Sequence, residues 1–307
     1  MPEAAAGTLA VAAAFLGCAA PVYTDALQAF KRFRALAAVE LGGSAVRFLV
    51  MMAVMPARAL AGYFAGQTAL PLFRMAGSVL ALRKELSVPA ERFWNADAVR
   101  RIALSFLAVL AYQGIPMAAS LVEQSVLRTG FSPEDSAGYY MVSRFADFLY
   151  YLTFPLMLVM FPYTATAARH GESTCPYVAK CAAATAVAAA AMAGAYAFFG
   201  RGFLALMPNG GDYAGYAGFM PWLVAINALT TCQVFHTNAE VSAGRFGFLA
   251  WLIPLHVVYP AVLYAAVRHG AVGSLDCLVA WFGVASVLRF AFAAGSCLSG
   301  RERLFAR

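Results

Sequence analysis

A chain of 307 residues in which 62% are hydrophobic and only 12% are Asp, Glu, Lys or Arg lacks the charge to cover a soluble domain, where about 25% of residues are charged. The net charge of +7 would raise nucleic acid as a partner of a soluble protein, but no basic patch interleaved with aromatics lies outside the apolar runs, so nucleic acid is excluded. The basic excess fits instead the positive-inside bias of a protein whose partner is the lipid bilayer.

In chain order the apolar runs predict nine membrane spans, at 7–28, 36–56, 59–82, 102–127, 137–162, 175–199, 218–240, 246–268 and 272–298. Each supplies about the 20 residues that a hydrocarbon slab of about 30 Å requires at 1.5 Å per residue. The expected fold class is therefore all-α, a polytopic transmembrane helix bundle. The start, Met1-Pro2-Glu3-Ala4, carries no charged region of the signal-peptide kind. The second span holds Glu40, Ser44 and Arg47 on one face, and the third carries Gly62-Tyr63-Phe64-Ala65-Gly66, a GxxxG that permits close helix approach. A polar link, 83–101, with Pro89 at its middle, separates the first three spans from the last six.

In the fourth span Gln113, Ser120 and Gln124 form a stripe, with Glu123 beside it near the outer end. The fifth carries the clearest constellation. Tyr140, Arg144, Asp147 and Tyr151 recur at helical spacing on one face. A charge in the slab costs about 2.5–3.5 kcal/mol on insertion scales, so it faces a partner or a wet cavity. Arg144 and Asp147 can brace each other and still contact a charged substrate. The seventh span is unusually polar, from Asn227 through His236 to Glu240. His256 in the eighth reads as a histidine bridging core helices, and Arg74, Lys180 and Arg289 as side chains that reach headgroups from near the cytoplasmic span ends. With Arg47 and Arg144 these make five basic residues within spans. Asp147 is the acid clearly at depth, which predicts a net cationic interior suited to anions. Arg47 and Arg144 are expected to face a common cavity.

Six cysteines show no CxxC or Cys/His spacing, and four histidines are scattered, so neither a metal nor another cofactor is expected. No GxSxG, HExxH, P-loop or GxGxxG motif is present, and the chain reads as a non-enzyme.

Three local patterns resemble one family. They are Ala26-Leu27-Gln28-Ala29-Phe30-Lys31-Arg32-Phe33, then Phe131-Ser132-Pro133-Glu134-Asp135-Ser136-Ala137-Gly138-Tyr139-Tyr140 running into Arg144 and closing at Phe161-Pro162, and finally a loop with Tyr213 and Tyr216 followed by Pro221 and a polar span ending at Ala243-Gly244-Arg245. Together they resemble polysaccharide-biosynthesis flippases of the multidrug/oligosaccharidyl-lipid/polysaccharide exporter superfamily. The resemblance implies a MATE-like architecture of two six-helix lobes around a central cavity that moves a lipid-diphosphate-linked oligosaccharide across the inner membrane by alternating access. On that pattern, 1–82 is a partial N-lobe of three helices, 83–101 a cytoplasmic inter-lobe linker and 102–307 a complete C-lobe with a short tail, and about three amino-terminal helices of the family are missing. The anionic diphosphate is expected near Arg47, Arg144 and Asp147, with Gln113, Gln124 and Asn227 hydrogen-bonding sugars. Polysaccharide-assembly membrane proteins are the protein partners implied. Two alternatives stand beside this reading: a non-transporting fragment or assembly partner, and a multidrug or cation antiporter of the same architecture.

Orientation follows from charge. Thirteen basic residues, among them Lys31, Arg32, Arg83, Lys84 and Arg101, fall on one side of the predicted spans, against Arg58, Arg128, Arg201 and Arg268 on the other. The thirteen belong in the cytoplasm, which puts the amino terminus outside and the carboxyl terminus inside. Reporter fusions after Arg101 and Arg307 should report cytoplasm, and one after Pro133 periplasm; a periplasmic signal after Arg101 would break the span assignment.

Overall fold

A computed structural model describes residues 2–86, 96–207 and 210–298. The central part of the 83–101 link, with Pro89 and Arg92, and the basic tail at 299–307 lie outside the described residues. Among the described residues every regular element is helical and none is a strand. In lipid this is the expected solution, because a helix satisfies its own backbone hydrogen bonds where no water can. Eight of the helices are long and apolar enough to cross a membrane. The protein is an all-α, membrane-embedded, multi-pass bundle.

Contacts divide the chain into two compact units, Met1–Trp94 and Asn95–Arg307. In the first, α1 (Pro2–Ala29) and α2 (Phe33–Val54) both pack on α3 (Ala59–Ala81), and one further turn, α4 (Arg83–Leu86), follows. The α1–α2 corner turns at Lys31, whose φ is 55°, and Arg32 donates from Nη1 to the Ala81 carbonyl at 2.7 Å, satisfying the end of α3. Nine spans were expected, and α3 is not among the eight helices that meet the length and apolarity criterion. Its 23 residues are enough to cross, but Gly62, Gly66, Gln67, Thr68, Arg74, Gly77 and Ser78 dilute its apolar character. Those residues face neighbouring helices. Gly62 lies against the Met55 backbone and Gly66 against the Met51 side chain of α2, so the GxxxG is a packing seam. Arg74, expected to snorkel to headgroups, instead forms an ion pair with Glu40 of α2.

The second unit comprises α5 (Ala96–Gly130), α6 (Pro133–Arg169), α7 (Cys175–Ala205), a 3-10 segment (Gly210–Phe219), α8 (Met220–Ser242), α9 (Leu249–Arg268) and α10 (Leu275–Leu298). Helix α8 is central, packing on α6, α7 and α10, while α5 pairs with α9. At 37 residues, α6 is about 55 Å long, well beyond the hydrocarbon thickness. It extends because its start is well capped. Ser132 Oγ accepts from Asp135 N at 3.0 Å, Pro133 occupies the first turn, and Glu134 and Asp135 meet the positive end of the helix dipole. The Tyr216 hydroxyl then donates to Asp135 Oδ1 at 2.9 Å, tying the 3-10 segment to that cap. Buried Val142, Leu149, Leu204, Met220 and Val224 form the main apolar cluster between α6, α7 and α8. Large apolar side chains such as Phe106, Met117, Val187 and Phe198 point outward, as a lipid-facing surface requires.

The close approach at Gly62 makes a prediction. A methyl group there would meet Met55 N at 2.5 Å, whereas one at Gly17 of α1 meets nothing within 4 Å. Gly62→Ala should destabilise the first unit by about 1–3 kcal/mol through overpacking, and Gly17→Ala should be neutral or mildly stabilising. Thermal unfolding in detergent micelles checks both; equal behaviour of the two variants would refute the seam.

Candidate functional site

The second unit holds a half-open cavity of about 450 Å³ lined from five helices. Its polar lining comes from Ser120, Glu123 and Gln124 of α5, Tyr140, Ser143, Arg144 and Asp147 of α6, Asn227 and Thr230 of α8, His256 and Tyr259 of α9, and Ser286 and Arg289 of α10. Ala119, Ala146 and Ala285 keep the walls thin enough for a space to remain.

Each arginine of the cavity faces a carboxylate. Arg144 Nη1 donates to Asp147 Oδ2 at 3.1 Å, with 70% and 38% of the two side chains exposed. Such an exposed i, i+3 pair is worth at most about 1 kcal/mol, so it is no more than a weak brace. Arg289 is the opposite case. It is 9% exposed, and its nearest carboxylate oxygen, Glu123 Oε1, lies 3.8 Å from Nη2. The Tyr259 ring covers the guanidinium at 5.1 Å. Arg289 Nε and Nη2 and the Tyr259 hydroxyl have no hydrogen-bond partner.

Around these charges the neutral polar groups are partly committed. Gln124 Nε2 lies 3.4 Å from Ser120 Oγ, and the Tyr140 hydroxyl reaches the Gln124 carbonyl at 3.5 Å. Thr230 and Ser286 hydroxyls meet at 3.3 Å, joining α8 to α10. His256 Nδ1 lies 2.9 Å from the Leu252 carbonyl. Because a carbonyl only accepts, Nδ1 carries the proton.

Of the residues expected to bind substrate, Arg144, Asp147, Gln124 and Asn227 meet in this cavity. Gln113 does not. It is exposed on α5, because the α5 lining begins at Pro116 and Gln113 lies one turn before it, on the right face at the wrong depth. Tyr151, on the same expected face as Arg144, is likewise exposed and outside the lining. Arg47 is half-buried on α2 of the first unit, and the lining of the second unit's cavity does not include it.

Three residues assigned to other roles belong to the site. Arg289, expected at the headgroups, is inside. Glu123, expected near an outer end, faces it, and His256 bonds its own helix rather than bridging two. The i, i+3 spacing revealed Arg144–Asp147, but nothing local links Glu123 to Arg289. The expected net cationic interior is also revised: two arginines and two carboxylates line the cavity, and Lys180 is exposed on α7.

Two further polar residues of α8 tie it to other helices, and a third anchors its end. Thr237 Oγ1 and the Tyr112 hydroxyl of α5 lie 3.1 Å apart, Thr164 of α6 and Ser242 meet at 2.7 Å, and Glu240 pairs at 2.9 Å with Arg245 just beyond α8, whose Nη2 also donates to Thr174 Oγ1 at 3.3 Å. Among the described residues no group of three or more His, Cys, Asp or Glu side chains could hold a metal ion.

The fold and site define a membrane-embedded helix bundle with a charged internal cavity, an arrangement compatible with a transporter. No family model, no curated protein and no solved structure matches the chain.

If the cavity is hydrated, cysteine placed at Arg144, in a chain with its native cysteines replaced, should react rapidly with a small water-soluble thiol reagent. Cysteine at Leu149, fully buried on the same helix, should stay unlabelled. Protection of the Arg144 position would mean that the guanidinium faces lipid.

Proposed function

We propose that the protein moves an anionic amphiphile across the bacterial inner membrane, and that its cargo is a lipid-diphosphate-linked oligosaccharide bound for polysaccharide export. The observation that carries this reading is one cavity, inside a bundle of membrane-crossing helices, that combines two guanidinium groups with amide and hydroxyl side chains. Guanidinium forks pair with phosphoryl oxygens, and amides and hydroxyls hydrogen-bond sugars. At about 450 Å³ the space falls in the range of about 300–1,000 Å³ that takes a drug-sized group. It accommodates a diphosphate and the sugar next to it, with the lipid chain lying along the bilayer-facing helices. The sequence patterns at Ser132–Tyr140 and Ala243–Arg245 support the same family.

A cation exporter of similar architecture is the second reading, favoured by the Glu123 and Asp147 carboxylates in the same space. The donors argue for the anion. Both guanidinium groups retain N–H donors beyond their single carboxylate contacts.

Replacing Arg144 with Met and Asp147 with Leu together leaves no unpaired charge and should yield normal amounts of folded protein. Cells lacking their own flippase should nevertheless fail to export polysaccharide when supplied with this double variant, although the wild-type chain restores export. Full restoration by the double variant would reduce the pair to a brace. Restoration of cation efflux by the wild-type chain, with no export of polysaccharide, would favour the second reading.

A further inference from the structure

We propose that Arg289, rather than Arg144, is the residue that receives the phosphoryl oxyanion of the cargo, and that the anion does so by displacing Glu123. This rests on the reading that the cavity takes an anionic lipid-linked substrate, and it names the group that binds it.

The argument starts from unmet hydrogen-bonding capacity. Arg289 lines the cavity and is nine-tenths buried, yet two of its three nitrogens have no hydrogen-bond partner. Its facing carboxylate, at 3.8 Å, is near enough to attract the charge but too far to accept a hydrogen bond. Glu123 is therefore a weak occupant of a strong donor. The Tyr259 ring, 5.1 Å from the guanidinium carbon, restrains one face of the fork and leaves the in-plane N–H groups free. The hydroxyl of that same tyrosine is buried without a partner, so a further donor is available from α9. A phosphoryl group has the oxygens to accept from both edges of such a fork, which a single carboxylate oxygen at this distance does not. Arg144 makes the poorer receptor. It already donates to Asp147, and with 70% of its side chain exposed its charge is screened. Arg144 then serves the approach of the anion, and Arg289 its final seat.

The test uses the full-length protein in detergent, titrated calorimetrically with farnesyl diphosphate as a short polyprenyl diphosphate, with farnesol as the phosphate-free control. Farnesyl diphosphate should bind and farnesol should not. Arg289→Met should weaken binding by at least about tenfold, the loss expected for removing charge-assisted hydrogen bonds, while Arg144→Met weakens it less. Glu123→Gln should tighten binding by about fivefold, because a weak competing ion pair is removed. Should Arg289→Met fail to fold with Glu123 left unpaired, the double variant Glu123→Gln/Arg289→Met removes both charges, and it should bind at least about tenfold more weakly than Glu123→Gln alone.

Equal binding by those last two proteins overturns the proposal, as does a wild-type chain that does not distinguish farnesyl diphosphate from farnesol. If Arg144→Met abolishes binding and Arg289→Met does not, the diphosphate sits at Arg144, so this proposal falls while the flippase reading stands. Titration in phosphatidylglycerol and phosphatidylcholine nanodiscs separates the sources of the oxyanion. Competition by phosphatidylglycerol that vanishes in Arg289→Met assigns the seat to a bilayer headgroup, which keeps the site and removes the flippase reading. Inorganic diphosphate binding as tightly as farnesyl diphosphate does the same in favour of a free anion.

Discussion

A guanidinium group buried among lipid-embedded helices persists only where its charge is answered, and Arg289 is answered by Glu123 from α5 and the Tyr259 ring from α9. Three helices are thereby committed to one another around one charge. Hydrophobic burial does not bring them together, since lipid tails are as apolar as leucine. Polar contacts at close quarters and thin helix faces do. The cavity is a consequence of the same constraint, because charged groups that cannot all pair tightly leave room between the helices that carry them, and Ala119, Ala146 and Ala285 do not fill it.

The same logic explains why α8, the most polar span, is the most central. A span with Asn227, Thr230, Thr231, Gln233, His236, Thr237 and Asn238 could not face lipid on every side. It instead packs on α6, α7 and α10 and reaches α5 through the Thr237–Tyr112 contact. Asn227 and Thr230 face the cavity, while Thr231, Gln233, His236 and Thr237 are buried. One helix therefore contributes both to the framework and to the site, and its polar residues divide between those tasks by helical face and depth.

Much of this was legible from the chain alone. Run length and apolarity located eight of the nine expected spans because the bilayer imposes a length, but the fifth expected span begins at 137, four residues after α6 starts, because its polar cap of Ser132, Pro133, Glu134 and Asp135 adds no apolar signal. Arg144 and Asp147 could be paired on paper, being one turn apart. Depth and long-range pairing were not legible. Gln113 shares a face with Gln124, yet the cavity stops short of it. Arg74 and Arg289 looked alike, as basic residues within reach of a span end, and the structure gives each a carboxylate on another helix. Helical periodicity assigns a direction around an axis, but it contains no information about which other helix stands in that direction.

The two arginines of the cavity also differ in how firmly each is held. Arg144 is well exposed, hydrogen-bonded to its own helix neighbour and cheap to disengage, since an i, i+3 pair in water stabilises little. Arg289 is buried, held by a ring and under-supplied with acceptors. Arg144 is therefore the accessible charge of the cavity and Arg289 the fixed one. Asp147 pairs with the exposed arginine, and Glu123 stands 3.8 Å from the buried one, close enough to hold Arg289 in its buried position and too far to satisfy it. A pair at hydrogen-bonding distance would close the site, and removal of Glu123 would leave a bare buried cation. The intermediate distance keeps the charge answered and leaves its Nε and Nη2 donors available.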